Sequence, residues 1–320
     1  MKRLFKNIVL FSVPVIIIAI TADIAFSHIL RNDKVHAEGE YEVWNDIYSG
    51  NINAECLIYG SSRAYEHIDP LIIEKKTGLS SYNLGLDGQN FYLHRLRHYE
   101  YLKHNKKPRY IIYSLEVSTL TKKDGGFNKK QYFPFMFWNR ELERYLSPLE
   151  GFSKQEFYLP LVRYMGDPEL LAEIAADILH PSIQEKPCRT KGYRGMVQEW
   201  NKDFEEAQKK YKVYPMEVDS SYVRMFDEFL QECAVNEIKL IFVYTPQYID
   251  GQKFVSNKDS ILGIYKNFGD KYNIPFIDYS HDSISYNKKY FYNSSHLNKN
   301  GSQLFSNIFV DYLIDNKLLK

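Results

Sequence analysis

Cysteine is scarce in this chain of 320 residues: Cys56, Cys188 and Cys233 are the only three. They are too few and too scattered for a disulfide framework or a zinc site. Charge of one sign is also missing. Forty-one Lys and Arg stand against 40 Asp and Glu, a formal net charge of +1. That balance excludes the strongly basic face with which proteins hold nucleic acid. Long apolar runs are absent beyond residue 30, and there are no internal repeats or low-complexity segments. What is present, 44% hydrophobic and 25% charged residues, is the make-up of a globular protein. The 27 tyrosines are unusual. They are read first as nucleotide-composition bias and second as a carbohydrate-like or amphipathic surface.

The one long apolar run sets the compartment. Lys2, Arg3 and Lys6 precede Ile8 to Ile20, Asp23 interrupts, and Ile24 to Leu30 resume. Read through Asp23, the run is long enough for a hydrocarbon core of ~30 Å. Asp23 then lies near the far interface, where a carboxylate costs less than at the centre. The flanking cations hold the N-terminus in the cytoplasm and place the rest outside. A cleaved signal peptide is the alternative, with Val35-His36-Ala37 as its one passable site. A buried core helix is the third option. Without Lys2, Arg3 and Lys6 the remainder stays close to neutral, which suits an uncharged or mixed-charge glycan better than a strongly anionic polymer.

Residues 1–30 are thus expected to be a membrane anchor that meets lipid, 31–50 a polar linker, and 51–320 one α/β domain. Short apolar runs alternate with helical patterns. Strands are expected at 55–59, 81–84, 110–115, 239–244 and 274–277, and helices at 91–104, 168–179, 221–233, 261–268 and 302–314. Asp69-Pro70 opens a further helix that Gly78 closes. Residues 120–215, rich in proline and aromatics, read as an inserted cap. Within it, Phe133, Phe135, Phe137 and Trp138 are read as cap packing ahead of a glycan or lipid surface. Gly192-Tyr193-Arg194-Gly195 is equally a turn or a substrate-contacting loop. Strands alternating with helices predict a parallel sheet covered on both faces, with ligands at the carboxyl ends of its strands.

Those ends carry the chemistry. Gly60-Ser61-Ser62-Arg63 follows the first strand, and Gly85-Leu86-Asp87-Gly88-Gln89-Asn90 the second. Glu116 follows the third, and Asn293-Ser294-Ser295-His296-Leu297-Asn298 with Gly301 precedes the last helix. In this order they resemble the SGNH/GDSL hydrolase superfamily. The Ser-Ser-Arg form and the His-Leu-Asn ending are more similar to its membrane-anchored, cell-envelope branch, the proteins of teichoic-acid D-alanylation and exopolysaccharide O-acetylation. The resemblance covers residues 54–118 and 219–316.

It implies a three-layer αβα sandwich on a flavodoxin-like parallel sheet. It implies Ser62 as nucleophile, His296 as its base, and the N–H groups of Ser62 and Gly85 as oxyanion donors. Asn293 stands where the family carries an aspartate. The amide accepts from the imidazole through its oxygen or, turned over, selects the wrong tautomer. Asp282 and Glu116 are the substitute acids. The family's oxyanion-hole asparagine has no match after the third strand, so Asn90 or Gln89 is the substitute donor. Arg63 either binds an anionic substrate group or pairs with Asp87 or Glu116. Ser61 and Ser62 on their own are also compatible with a plain helix-capping turn.

The implied activity is hydrolysis or transfer of an acyl ester, acetyl or similar, on a cell-envelope or exported polysaccharide through an acyl-serine. Transfer would need a multispanning membrane acyltransferase as partner. No metal, cofactor or nucleic acid is implied. His94 and His98, four apart on a helix with Arg95 and Arg97 between them, are read as a solvated face. Asn293 and Glu116 also keep open a non-catalytic glycan-binding or assembly protein on the same scaffold.

Overall fold

The computed structural model describes residues 2–32, 39–122, 128–179, 188–210 and 212–320. The chain forms two compact units, Met1–Asn45 with Asp124–Cys188, and Asp46–Lys123 with Arg189–Lys320.

In the larger unit five strands build one sheet: β1 (Cys56–Tyr59), β2 (Ser81–Asn83), β3 (Tyr110–Ser114), β4 (Lys239–Tyr244) and β5 (Phe276–Asp278). Their order is β2-β1-β3-β4-β5, and every neighbouring pair is parallel. This is the doubly wound order, whose winding direction reverses between β1 and β3 and leaves a crevice there. The central strands are apolar because both faces are covered. On one face Ile58, Ile112, Ile241 and Val243 pack with Phe305, Phe309 and Leu313 of the last helix, Lys299–Asp315. On the other, Tyr113 and Phe242 meet Phe226 of the helix Ser220–Val235, and Phe226 meets Phe91 of the helix Phe91–His104. The expected three layers are present.

Local signals act as expected at the helix Pro70–Thr77. The Asp69 carboxylate accepts from Leu71 N, Pro70 opens the first turn, and Gly78 closes it at φ 74. The pair His94 and His98 is a correction. Both rings are buried against the aromatic layer, His94 Nδ1 at 2.7 Å from the Tyr113 hydroxyl and His98 Nδ1 at 2.8 Å from that of Tyr59. Phenol hydroxyls satisfy polar ring edges that would otherwise be costly to bury.

The stretch 189–215 groups with this larger unit, whereas 124–188 groups with the N-terminal helix. Gly192-Tyr193-Arg194-Gly195 is a turn fastened to the sheet. Asn83 N donates to Lys191 O at 2.9 Å, and Thr190 pairs with Tyr193. A Cβ on Gly192, which has φ 77, would stand 1.8 Å from Asn83 O.

In the smaller unit, Lys2–Asn32 is one helix, and Arg3–Asn32 is long and apolar enough to cross a membrane. Asp23 is fully buried within the protein. Arg163 grips it with two bonds, Nη1 to Oδ2 at 2.9 Å and Nη2 to Oδ1 at 2.5 Å. The same guanidinium donates to Ser27 Oγ at 3.0 Å and Phe133 O at 2.6 Å, and Leu161 N donates to Asp23 Oδ2 at 2.7 Å. Residues 33–38 of the expected linker lie outside the described residues, but Glu40–Ser49 is a helix. Its polar residues hide a helical pitch in Val43, Trp44 and Ile47, all buried, and Trp44 Nε1 donates to Gln131 Oε1 at 3.2 Å. Phe133 and Phe135 are buried, as expected for cap packing, while Trp138 is 65% exposed.

Breaking a buried ion pair by removing one partner is expected to cost about 3–5 kcal/mol, because a charge is left uncompensated. Arg163→Met should therefore lower the thermal midpoint of the full chain in detergent strongly. The double variant Asp23→Leu/Arg163→Met should recover most of that loss. A double variant as unstable as the single one would show that charge compensation is not what the pair supplies.

Candidate active site

The site is built where β1 ends. Gly60, at φ 140, makes the turn, and a Cβ there would stand 2.6 Å from Ser114 O on β3. The turn delivers Ser62 as the first residue of the short helix Ser62–His67. Ser61 makes no side-chain cap bond to this helix, which removes the plain capping reading of that serine. The Ser62 hydroxyl lies 2.7 Å from His296 Nε2, across 234 residues of sequence.

Asn293 resolves the tautomer. Its Oδ1 accepts the backbone N–H groups of Ser295 and His296, both at 2.9 Å, and lies 3.0 Å from His296 Nδ1. Two backbone donors on one atom identify that atom as the oxygen. The ring nitrogen beside it must then carry the proton. Nε2 is left with its lone pair toward Ser62, the tautomer a base needs. Asn293 thus orients the ring as an aspartate would but adds no charge. Desolvation, and after it the Arg63 guanidinium, push the His296 pKa down to about 3. The imidazole is unprotonated at neutral pH, ready to accept a proton but weakly basic. Asp282, a substitute acid by sequence, is spent on Ile284 N at 2.9 Å.

Three other expected site residues have different employment. Gly85 N donates to Asn83 Oδ1 at 2.9 Å. Asn90 is buried and donates through Nδ2 to Thr121 O at 2.7 Å. Arg63 is buried beneath the site. Its Nε donates to Thr245 Oγ1 at 3.1 Å, its Nη2 donates to Thr245 O, and the guanidinium lies 4.4 Å over the Tyr244 ring. Ser62 is in the first turn of its short helix, where a backbone N–H has no partner within the helix.

Sequence reasoning missed four residues behind this pair. His67 is fully buried. Its Nε2 accepts Leu297 N at 2.9 Å, so its Nδ1 is the donor toward Thr245 Oγ1 at 3.0 Å. Tyr292 stacks on His296, with ring centroids 5.5 Å apart and planes at 11°. Its hydroxyl donates to Glu66 Oε2 at 2.8 Å, and burial holds the Glu66 pKa up at about 7. The available signal was the position of Glu66 and His67, one turn after Ser62.

Ser62 and His296 face a cleft of about 640 Å³. Glu116 is on its wall, and Tyr214, Met216, Phe254 and Val255 form an apolar part of its lining. That apolar part is a joined structure. Tyr214 N donates to Phe254 O at 2.9 Å, and Asn257 bonds the backbone of Met216 through both ends of its amide. Among the described residues, no group of three or more His, Cys, Asp or Glu is placed to hold a metal.

No family model and no curated protein matches this chain. Solved structures do. One is described as a platelet activating factor from Streptococcus pneumonia, 11% identical, covering 86% of this chain and 91% of its own, with a TM-score of 0.43. An acylhydrolase from Bacteroides fragilis is 11% identical, with 91% and 98% covered and a TM-score of 0.38. An acetyl xylan esterase from the rumen bacterium Butyrivibrio proteoclasticus is 12% identical, with 82% and 64% covered and a TM-score of 0.34.

Two outcomes follow from the geometry of the site. Asn293→Asp keeps an acceptor for all three N–H donors and turns a neutral hydrogen bond into a charge-assisted one. A difference of about 1 kcal/mol corresponds to roughly a fivefold rise in kcat/KM for ester hydrolysis. A sharp loss would show that the amide itself is required. Second, kcat/KM follows the free enzyme's base. With the His296 pKa depressed, its unprotonated form persists below the ordinary imidazole value. In Glu66→Gln, which removes the neighbouring carboxyl that titrates near 7, the profile should stay flat from about pH 8 to about pH 5. A midpoint near 6.5 would contradict the depressed imidazole.

Proposed function

We propose that this protein is an extracytoplasmic serine acyl-ester hydrolase or O-acyltransferase. Its substrate is an acyl ester of a cell-envelope or exported polysaccharide. One observation carries the reading: a serine hydroxyl 2.7 Å from an imidazole nitrogen whose opposite nitrogen is oriented by an amide oxygen, all at a cleft.

Ser62 Oγ attacks the ester carbonyl carbon, and its proton passes to His296 Nε2. The carbonyl electron pair moves onto oxygen, which faces the Ser62 N–H. Collapse of the intermediate breaks the bond to the sugar oxygen, and that oxygen takes the proton back from His296. An acyl-serine remains. Water, deprotonated by the same imidazole, releases the carboxylic acid; a sugar hydroxyl in its place makes the step a transfer. The near-neutral charge outside the N-terminal cations supports a glycan over a strongly anionic polymer. The apolar N-terminal helix supports confinement to a membrane. In the transfer version, a multispanning acyltransferase supplies the activated acyl group.

A second reading, a glycan-binding or assembly protein without catalysis, draws on the engagement of Gly85 N and the Asn90 amide elsewhere, which thins the oxyanion hole. Release of a chromogenic ester's leaving group by the full chain in detergent separates the two. Ser62→Ala and His296→Ala should each lower the rate by on the order of a thousandfold or more. A serine-directed fluorophosphonate should label the wild type and not Ser62→Ala. Rates unchanged in both variants would end the catalytic reading and leave the binding one.

A further inference from the structure

The N-terminal helix changes character along its length. Large apolar side chains are exposed from Leu4 to Ile18, with Phe11 at 76% and Ile18 at 68%. Burial begins at Asp23 and recurs at Ser27 and Leu30, one face of a helix. The bare stretch before Asp23 is roughly 30 Å long at 1.5 Å per residue, the thickness of a hydrocarbon core. It ends at the ion pair with Arg163. The last turns of this helix are therefore a packed part of the smaller unit, sealed by Arg163, Ser27 and Tyr164, whose hydroxyl lies 2.9 Å from Ser27 Oγ.

The segments that bond this cluster also expose apolar side chains. Leu159 (51% exposed) and Met165 (70%) flank Leu161 and Arg163 in the chain. Trp138 stacks on Phe137 with centroids 5.0 Å apart, and the Arg163 guanidinium lies 5.5 Å from the Phe137 ring. Trp138 keeps its exposed indole on a backbone at φ 55, a conformation costly for a bulky residue. The helix Pro168–Leu179 turns Leu170 and Ile174 inward and leaves Ile178 and Leu179 exposed at 54% and 73%. Its charged residues are Glu169, Glu173 and Asp177, so attraction to an anionic surface does not recruit it. An exposed tryptophan, stacked on the ring that Arg163 overlies at the end of a membrane-length helix, fits the interfacial layer of a bilayer.

We propose that the N-terminal helix is retained and that residues 128–179 form a foot on the membrane. Trp138, Leu159, Met165, Ile178 and Leu179 sit in the interfacial layer of a phospholipid bilayer, and the Asp23–Arg163 pair marks the helix's exit from the hydrocarbon. The inference rests on the anchored part of the proposed function and not on catalysis.

The test uses the full chain reconstituted in phosphatidylcholine vesicles with and without lipid brominated near the top of the acyl chains. Bromine quenches indoles at that depth. Wild type should lose on the order of a fifth to a third of its tryptophan emission, and Trp138→Phe should lose distinctly less. A polarity-sensitive label on Met165→Cys, in a Cys188→Ser background, should shift to the blue on reconstitution. Intact mass of the protein recovered from membranes should include the N-terminal helix. A mature chain beginning near residue 38 would overturn both the anchor and the foot. An intact N-terminus with equal quenching in wild type and Trp138→Phe, and no shift at position 165, would overturn the foot alone and point to a protein occupant of that surface.

Discussion

The site is organised around a buried hydrogen bond, Leu297 N to His67 Nε2 at 2.9 Å. Ser62 opens a six-residue helix and His67 closes it. The first is the expected nucleophile, and the second holds the backbone of the residue after the expected base. Two segments far apart in sequence are thereby tied through a single short helix. His67 also reaches Thr245 at the end of β4, and Arg63 reaches the same threonine from the helix's first turn. The serine, the histidine and the carboxyl end of a central strand are linked through groups that are themselves buried. Burial strengthens such bonds and makes their loss expensive.

That arrangement explains how a site without a triad aspartate stays organised. Orientation and charge, which one carboxylate supplies together, are separated here. Asn293 orients, through an oxygen that two backbone N–H groups keep in place. Among the described residues no carboxylate hydrogen-bonds the ring, and Arg63 opposes its protonation. Glu66, the nearby carboxyl, meets the imidazole only through the Tyr292 ring.

The fold was legible where local rules and burial agree. Asp69-Pro70 and Gly78 bound a helix, and short apolar runs became strands covered on both sides. Ser62 and His296 were legible because position after a strand and before a helix is a topological property. The misreadings share another cause. His94 and His98 are polar residues on an apolar face, and their partners, Tyr113 and Tyr59, lie 19 and 39 residues away. Pattern sees the polar residue and not the group that satisfies it. Gly85 and Asn90 stand in the expected places, but their hydrogen bonds go to Asn83 and Thr121. The polar composition of 31–50 likewise concealed a helix whose buried side chains find partners far along the chain.

The turn at 190–193 also protects the molecule. β2 is an outermost strand, and an open strand edge offers its backbone to any other extended chain. Here the Asn83 amide is already occupied by Lys191 O, and the missing side chain of Gly192 lets the turn press against it. β5, the opposite edge, is three residues long and presents little to pair with. A chain crowded with copies of itself in two dimensions would meet such edges often. This sheet offers its neighbours almost nothing to extend.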